Sequence, residues 1–81
     1  YLCRRCGLAL FRANSQFQSS CGWPSFDAEI AEHVSQQPDS DGMRTEINCA
    51  RCSAHLGHIF PDGPAPSGLR YCVNAAAMKK L

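Results

Sequence analysis

Apolar residues along this chain come in short runs broken by Gly and Pro, without the three-to-four-residue interval of a long amphipathic helix. The clearest alternation runs from Met43 to Cys49. It sets Met43, Thr45 and Ile47 on one side and Arg44, Glu46 and Asn48 on the other, which predicts a strand. Leu69 to Val73 predicts a second strand and Val34 to Gln37 a third, while Leu8 to Arg12 is a short apolar stretch. Ala28 to His33 has room for one or two helical turns. Gly22-Trp23-Pro24-Ser25 reads as a turn that holds a large aromatic. Pro38-Asp39-Ser40-Asp41-Gly42 is turn chemistry, and its Asp-Gly step favours the primed hairpin types. Pro61 to Gly68 is too rich in Pro and Gly for any regular element. The pattern predicts one mainly β domain over residues 1–81.

A single core in a domain this small supplies only about 3–5 kcal/mol, so a staple is expected. The six cysteines suggest its nature. Cys3 and Cys6 form one C-x-x-C pair, and Cys49 and Cys52 form another. Two such knuckles suit a closed tetrahedral site for one structural Zn²⁺, and they fit a disulfide framework poorly. With 42 residues between Cys6 and Cys49, the metal would pin two ends of a β region together. An alternative set, Cys49, Cys52, His55 and His58, would leave Cys3 and Cys6 without partners.

Cys21 and Cys72 remain outside the knuckles and are candidates for redox or nucleophilic work. On a strand, Arg70, Cys72 and Asn74 would share one face, and a guanidinium beside the sulfur favours its thiolate. Cys72 could equally be a small buried hydrophobe. His55 and His58, near Asp62, are candidate acid–base companions of a thiol. His33 lacks such company and reads as a surface residue.

The formal net charge is +1, from eight basic and seven acidic residues, which gives no basic field for nucleic acid. No apolar run reaches the ~18 residues of a membrane span. Lys79 and Lys80 read as a solvated tail.

Four ordered segments together carry a resemblance. They are Ser20-Cys21-Gly22-Trp23-Pro24-Ser25-Phe26, Arg44-Thr45-Glu46, His55-Leu56-Gly57-His58-Ile59-Phe60-Pro61-Asp62-Gly63-Pro64 and Gly68-Leu69-Arg70-Tyr71-Cys72-Val73-Asn74. With both knuckles, the chain resembles the methionine-R-sulfoxide reductases of the B type. The resemblance implies two antiparallel sheets pinned by a four-cysteine zinc site, a fold of the β-tent type. It also implies reduction of the R epimer of methionine sulfoxide, free or in proteins. Cys72 would be the nucleophile, passing through a sulfenic acid, and Cys21 the resolving cysteine. Thioredoxin would reduce the resulting disulfide.

Trp23 and Phe60 would form apolar walls for the substrate methyl group. His55 and His58 would deliver protons, with Asp62, Arg70 and Asn74 orienting the network. A cytoplasmic monomer is expected. The family pattern differs in having a further N-terminal stretch before Tyr1, a slightly longer loop between Phe26 and Gly42, and serines where Ala75-Ala76-Ala77 stand.

Overall fold

The structure, a computed structural model, describes residues 1–80. Its strands are β1 (Leu2–Cys3), β2 (Gln16–Phe17), β3 (Ser25–Phe26), β4 (Val34–Pro38), β5 (Thr45–Cys49), β6 (His55–Phe60), β7 (Arg70–Val73) and β8 (Met78–Lys79). Among the described residues the only helical elements are two 3₁₀ turns, Ala13–Ser15 and Ala75–Ala77. β1 pairs with β8 in a two-stranded sheet, and the other six strands form one antiparallel sheet in the order β2-β3-β7-β6-β5-β4. The mainly β architecture of two antiparallel sheets expected from the sequence is therefore present.

Alternation on β7 turns Tyr71 and Val73 toward the core and leaves Arg70 and Cys72 to the opposite face. Ile47, Leu56 and Val73 are fully buried with Leu10, Phe11 and Phe26. Phe11 stacks on Phe26 at 4.3 Å, while Tyr1 meets Phe26 edge-on at 5.0 Å and Tyr71 meets Phe11 edge-on at 5.5 Å. These are arrangements that aromatic quadrupoles favour. The Leu8–Arg12 stretch thus contributes two core residues, Leu10 and Phe11, without forming a strand.

Four local expectations are corrected. Ala28 to His33 forms no helical turn, because contacts with other segments decide its path. Ile30 N–H donates to the Leu10 carbonyl at 2.9 Å, and Glu29 accepts from the Tyr71 hydroxyl at 3.0 Å. His33 is half-buried and bonds the Ala9 carbonyl oxygen through Nδ1 at 2.7 Å, so it ties that segment down. The strand predicted from Met43 begins at Thr45, and Met43 stands 90% exposed. Asp41-Gly42 accordingly lies inside a wider loop, residues 39–44, instead of a two-residue primed turn.

β6 and β7 approach most closely at Gly57. A Cβ there would lie 2.0 Å from the Cys72 carbonyl oxygen, a backbone atom with no freedom to move aside. Gly57→Ala is expected to destabilise the chain by on the order of 3 kcal/mol, because the two strands must separate. The denaturation midpoint measures this, and an unchanged midpoint would mean that β7 shifts freely.

Candidate active site

The strand register sets up one row of side chains across the large sheet. From β4 to β2 it runs Gln37, Glu46, His58, Cys72, Ser25 and Phe17, each the cross-strand partner of the next. Side chains paired this way stand about 5 Å apart and interact directly. Cys72 therefore has His58 on one side and Ser25 on the other, on the rigid interior of a sheet.

His55 and His58 are three residues apart on one strand, which would normally turn them to opposite faces. The register prevents this. Ile47 pairs with Gly57 and Asn48 with His55, so Leu56 is an extra residue in β6. Such a bulge reverses the alternation. The two rings consequently come within 5.7 Å of each other, edge to face. His55 bonds the Glu46 carboxylate through Nδ1 and is half exposed, whereas His58 is only 14% exposed and bonds Asp39.

Cys21, Trp23, Arg44, His58, Phe60, Arg70 and Cys72 line one cleft of about 340 Å³. Arg70 is fixed from two directions. Asp62 accepts from its Nε and Nη2 at 2.8 and 3.1 Å, and the guanidinium lies 4.3 Å from the centre of the Phe60 ring. This bidentate grip holds Asp62 below, and Arg70 above, their usual pKa values. Trp23 stands 46% exposed at the cleft, as a contact surface for a guest would. His55 and Asp62 sit behind their partners and do not line the cleft. Asn74 lies beyond the end of β7, and its Oδ1 accepts from Ala76 N–H at 3.0 Å to cap the second 3₁₀ turn. The expected shared face of Arg70, Cys72 and Asn74 therefore holds for the first two alone.

The two thiols outside the knuckles, Cys21 and Cys72, line this cleft together. Cys21 Sγ lies 3.2 Å from Ser25 Oγ, and Cys72 is 7% exposed. Burial works against a charged Cys21, but hydrogen bonds from Cys72, Ser25, the Trp23 backbone and Ser19 outweigh it and draw the thiol down to about 6. Burial pushes Cys72 up to about 11, and its hydrogen bond to Cys21 acts in the same direction; Arg70 opposes the shift without reversing it. The surroundings thus draw Cys21 toward its thiolate and hold Cys72 toward its thiol, while Arg70 acts on Cys72 in the sense expected from their shared strand face.

Alkylation of Cys21 should accordingly rise through about pH 6 when the knuckle cysteines are metal-bound. Cys72→Ala removes a donor to that thiolate and should move the midpoint up, toward the ordinary thiol value of about 8.5. The measurement is the alkylation rate against pH, and an unmoved midpoint would exclude Cys72 as the donor.

The knuckle cysteines form a second cluster. All six cysteines are free thiols, and the sulfurs of Cys3, Cys6, Cys49 and Cys52 lie within 4.8 Å of one another. Cys3 and Cys52 are 3.6 Å apart, and Cys6 and Cys49 are 3.5 Å apart. Four sulfurs about 2.3 Å from a central ion would stand about 3.8 Å apart, so the set fits a tetrahedral metal.

Both knuckles are built alike. Cys3 N–H donates to the Leu8 carbonyl and Gly7 N–H to the Cys3 carbonyl, each at 2.8 Å; Cys49–Ala54 and Ser53–Cys49 repeat the pattern at 2.9 Å. Gly7 and Ser53 occupy matching left-handed positions, at φ 82° and 64°. Leu8 and Arg51 draw the Cys6 thiol down to about 6, whereas burial raises Cys49 to about 11. A buried thiolate such as Cys49 calls for a cation beside it.

The site residues absent from the sequence expectation are Arg44, Glu46, Asp39 and Ser25. Arg44 and Glu46 lie in Arg44-Thr45-Glu46, so the signal was present as a motif without a role. Asp39 had no signal beyond turn composition, and Ser25 lay in the Ser20–Phe26 motif and its turn without a role of its own.

A family model described as the SelR domain matches residues 1–81. A peptide methionine sulfoxide reductase MsrB of Bradyrhizobium diazoefficiens is 57% identical over 82 residues, covering 98% of this chain and 59% of that protein. The proteins of the same name from Pseudomonas putida strain F1 and Acinetobacter baylyi are 56% and 54% identical, covering 96% and 98% of this chain and 62% and 59% of their own. The chain spans about three fifths of the length of these curated relatives. A match over every residue, joined to the ordered motifs and the paired thiols, shows that the chain belongs to the SelR domain family, that of the MsrB-type methionine sulfoxide reductases.

Proposed function

We propose that this chain reduces methionine-R-sulfoxide, free or within proteins, to methionine. The observation that carries the reading is the pair of thiols outside the knuckles, Cys21 and Cys72, lining one aromatic-walled cleft. Trp23 and Phe60 take the S-methyl group, and Cys72 attacks the sulfoxide sulfur as its proton passes toward Cys21. The sulfoxide oxygen becomes the hydroxyl of a sulfenic acid on Cys72, and methionine leaves. Cys21 then displaces that oxygen as water and forms a Cys21–Cys72 disulfide. Sulfoxide and two thiols thus give thioether, disulfide and one water.

Within this reading His58 supplies a proton to the oxygen, with His55 supporting it from the Glu46 side. Arg70, held by Asp62, stabilises negative charge on the sulfur pair. Asn74 orients the chain end after Cys72 through its cap. One Zn²⁺, bound by Cys3, Cys6, Cys49 and Cys52, supplies structural cross-linking; thiolate ligands and tetrahedral spacing favour that ion. Dithiol exchange with thioredoxin returns Cys21 and Cys72 to thiols in a reducing compartment such as the cytoplasm.

The test is a single turnover of the separated R and S sulfoxides of a blocked methionine, with free thiols counted before and after. Reduction of R alone, with two thiols lost, supports the reading. Reduction of neither epimer by zinc-loaded protein, or reduction of both, overturns it.

A further inference from the structure

The loop joining β4 to β5 reads from its sequence as a plain turn, yet the fold carries it into the catalytic cleft. Asp39, its first residue, bonds Nε2 of His58 at 2.6 Å. Arg44, its last, lines the cleft and places Nη2 3.6 Å from the same Asp39 oxygen. The loop is closed on itself. Asp39 N–H donates to the Arg44 carbonyl at 2.9 Å, and Gly42 N–H to the Asp39 carbonyl at 2.9 Å, with Gly42 in the left-handed region at φ 71°. Asp41 adds a bracket: Oδ1 accepts from Met43 and Arg44 N–H at 2.9 and 3.2 Å, and Oδ2 accepts from Arg44 Nε at 3.0 Å.

The carboxylate so held is 18% exposed, and its His58 partner is 14% exposed. A bond this short between two largely covered groups is directional, and it decides which ring nitrogen carries the proton. A carboxylate accepts only, so the proton lies on Nε2. Nδ1 of His58 takes no hydrogen bond from protein among the described residues, and the ring itself lines the cleft. Asp39 is anionic at any working pH, since the bond from His58 draws it down to about 2.

We infer that Asp39 is a positioning residue for this chemistry: through Nε2 it fixes the imidazole of His58 so that Nδ1 faces the sulfoxide oxygen, and the proton given to that oxygen is the Nδ1–H of the protonated ring, Nε2–H staying on Asp39. Arg44 keeps the carboxylate in place from the loop's other end. The inference rests on the reductase reading and assigns that reaction a residue from outside its quoted motifs.

The experiment compares zinc-loaded wild type, Asp39→Asn and Asp39→Glu, using the R sulfoxide of a blocked methionine and ¹⁵N-labelled imidazole spectra. Asp39→Asn is expected to lower kcat about 10- to 100-fold, a part of the ~10²–10⁴-fold that a positioned proton donor contributes. KM should stay within about twofold, Asp39→Glu should recover most of the loss, and the wild-type His58 ring should show its proton on Nε2. In Asp39→Asn the ring should become a mixture of tautomers.

Unchanged kcat in Asp39→Asn overturns the inference, as does a fall in kcat with the wild-type tautomer retained. If Asp39→Asn loses its metal or its unfolding transition, the wild-type spectrum decides: a proton on Nδ1 overturns the inference. Failure of wild type to reduce either epimer would instead remove the reductase reading, and the ring spectrum would still report on Asp39.

Discussion

Stripping the metal from this chain is expected to abolish its cooperative unfolding transition. The four sulfurs join two places far apart in sequence, the β1 turn and the connection from β5 to β6. Among the described residues no strand ladder links those places, since β1 pairs with β8 and, through Leu2, with Ala9, and neither belongs to the six-stranded sheet. Structural zinc contributes on the order of 10 kcal/mol to small domains, and whole native proteins are stable by only about 5–15 kcal/mol. Removing such a term leaves little. Two buried cysteines, Cys3 and Cys49, would also lose the cation that permits their charge. A thermal scan with and without a strong chelator reads the effect. An apo chain that melts within about 5 °C of the holo form would show that the aromatic core suffices alone.

Cys72→Ser and Cys21→Ser are expected to fail in different ways, and the difference is the second large effect. Cys72 stands in the row between His58 and Ser25, with both neighbours placed by strand register. A hydroxyl there is a far weaker nucleophile than a thiolate, so Cys72→Ser should give no measurable first turnover. Cys21→Ser keeps the attacking sulfur and the donors to the sulfoxide oxygen but loses the acceptor of the Cys72 proton, so methionine should still be released once per chain, at a lower rate. Its sulfenic acid then has no second thiol, because the remaining four cysteines are held in the cluster. Steady-state turnover with thioredoxin should fall at least about 100-fold while the single turnover persists. Rapid quench for the first turnover and a thioredoxin-coupled assay for the rest separate the two. Full recycling by Cys21→Ser would mean that another thiol resolves the intermediate.

These expectations draw on different sources. The knuckles were legible because C-x-x-C is a local object: four atoms of one chemistry at fixed spacing predict a metal site before any fold is known. The strands β5 and β7 were legible as patterns of alternation, although both begin one or two residues later than read. β6 was not read as a strand. Its sequence, His-Leu-Gly-His-Ile-Phe, alternates poorly because Leu56 is an inserted residue, and the signal for a bulge lies in the partner strand. The helical turn expected over residues 28–33 failed for a related reason, since bonds to Leu10 and Tyr71 outweigh weak local propensity.

The sequence by itself determined a mainly β chain, a four-cysteine cluster, a second pair of cysteines and the family whose motifs it carries. Each of these is written in residue type and spacing along the chain. Only the tertiary structure brought Cys72 beside Cys21 in one cleft, where burial pushes the Cys72 thiol up and neighbouring donors draw Cys21 down. It alone turned His55 and His58 to one face, gave each a carboxylate and separated Asn74 from the cleft. Asp39 and Arg44 entered the site in the same way. Electrostatics and hydrogen bonding act through space over a few ångströms, and residues that sequence places 20 or more apart, such as Asp39 and Arg70, share a site only once the sheet sets their distance.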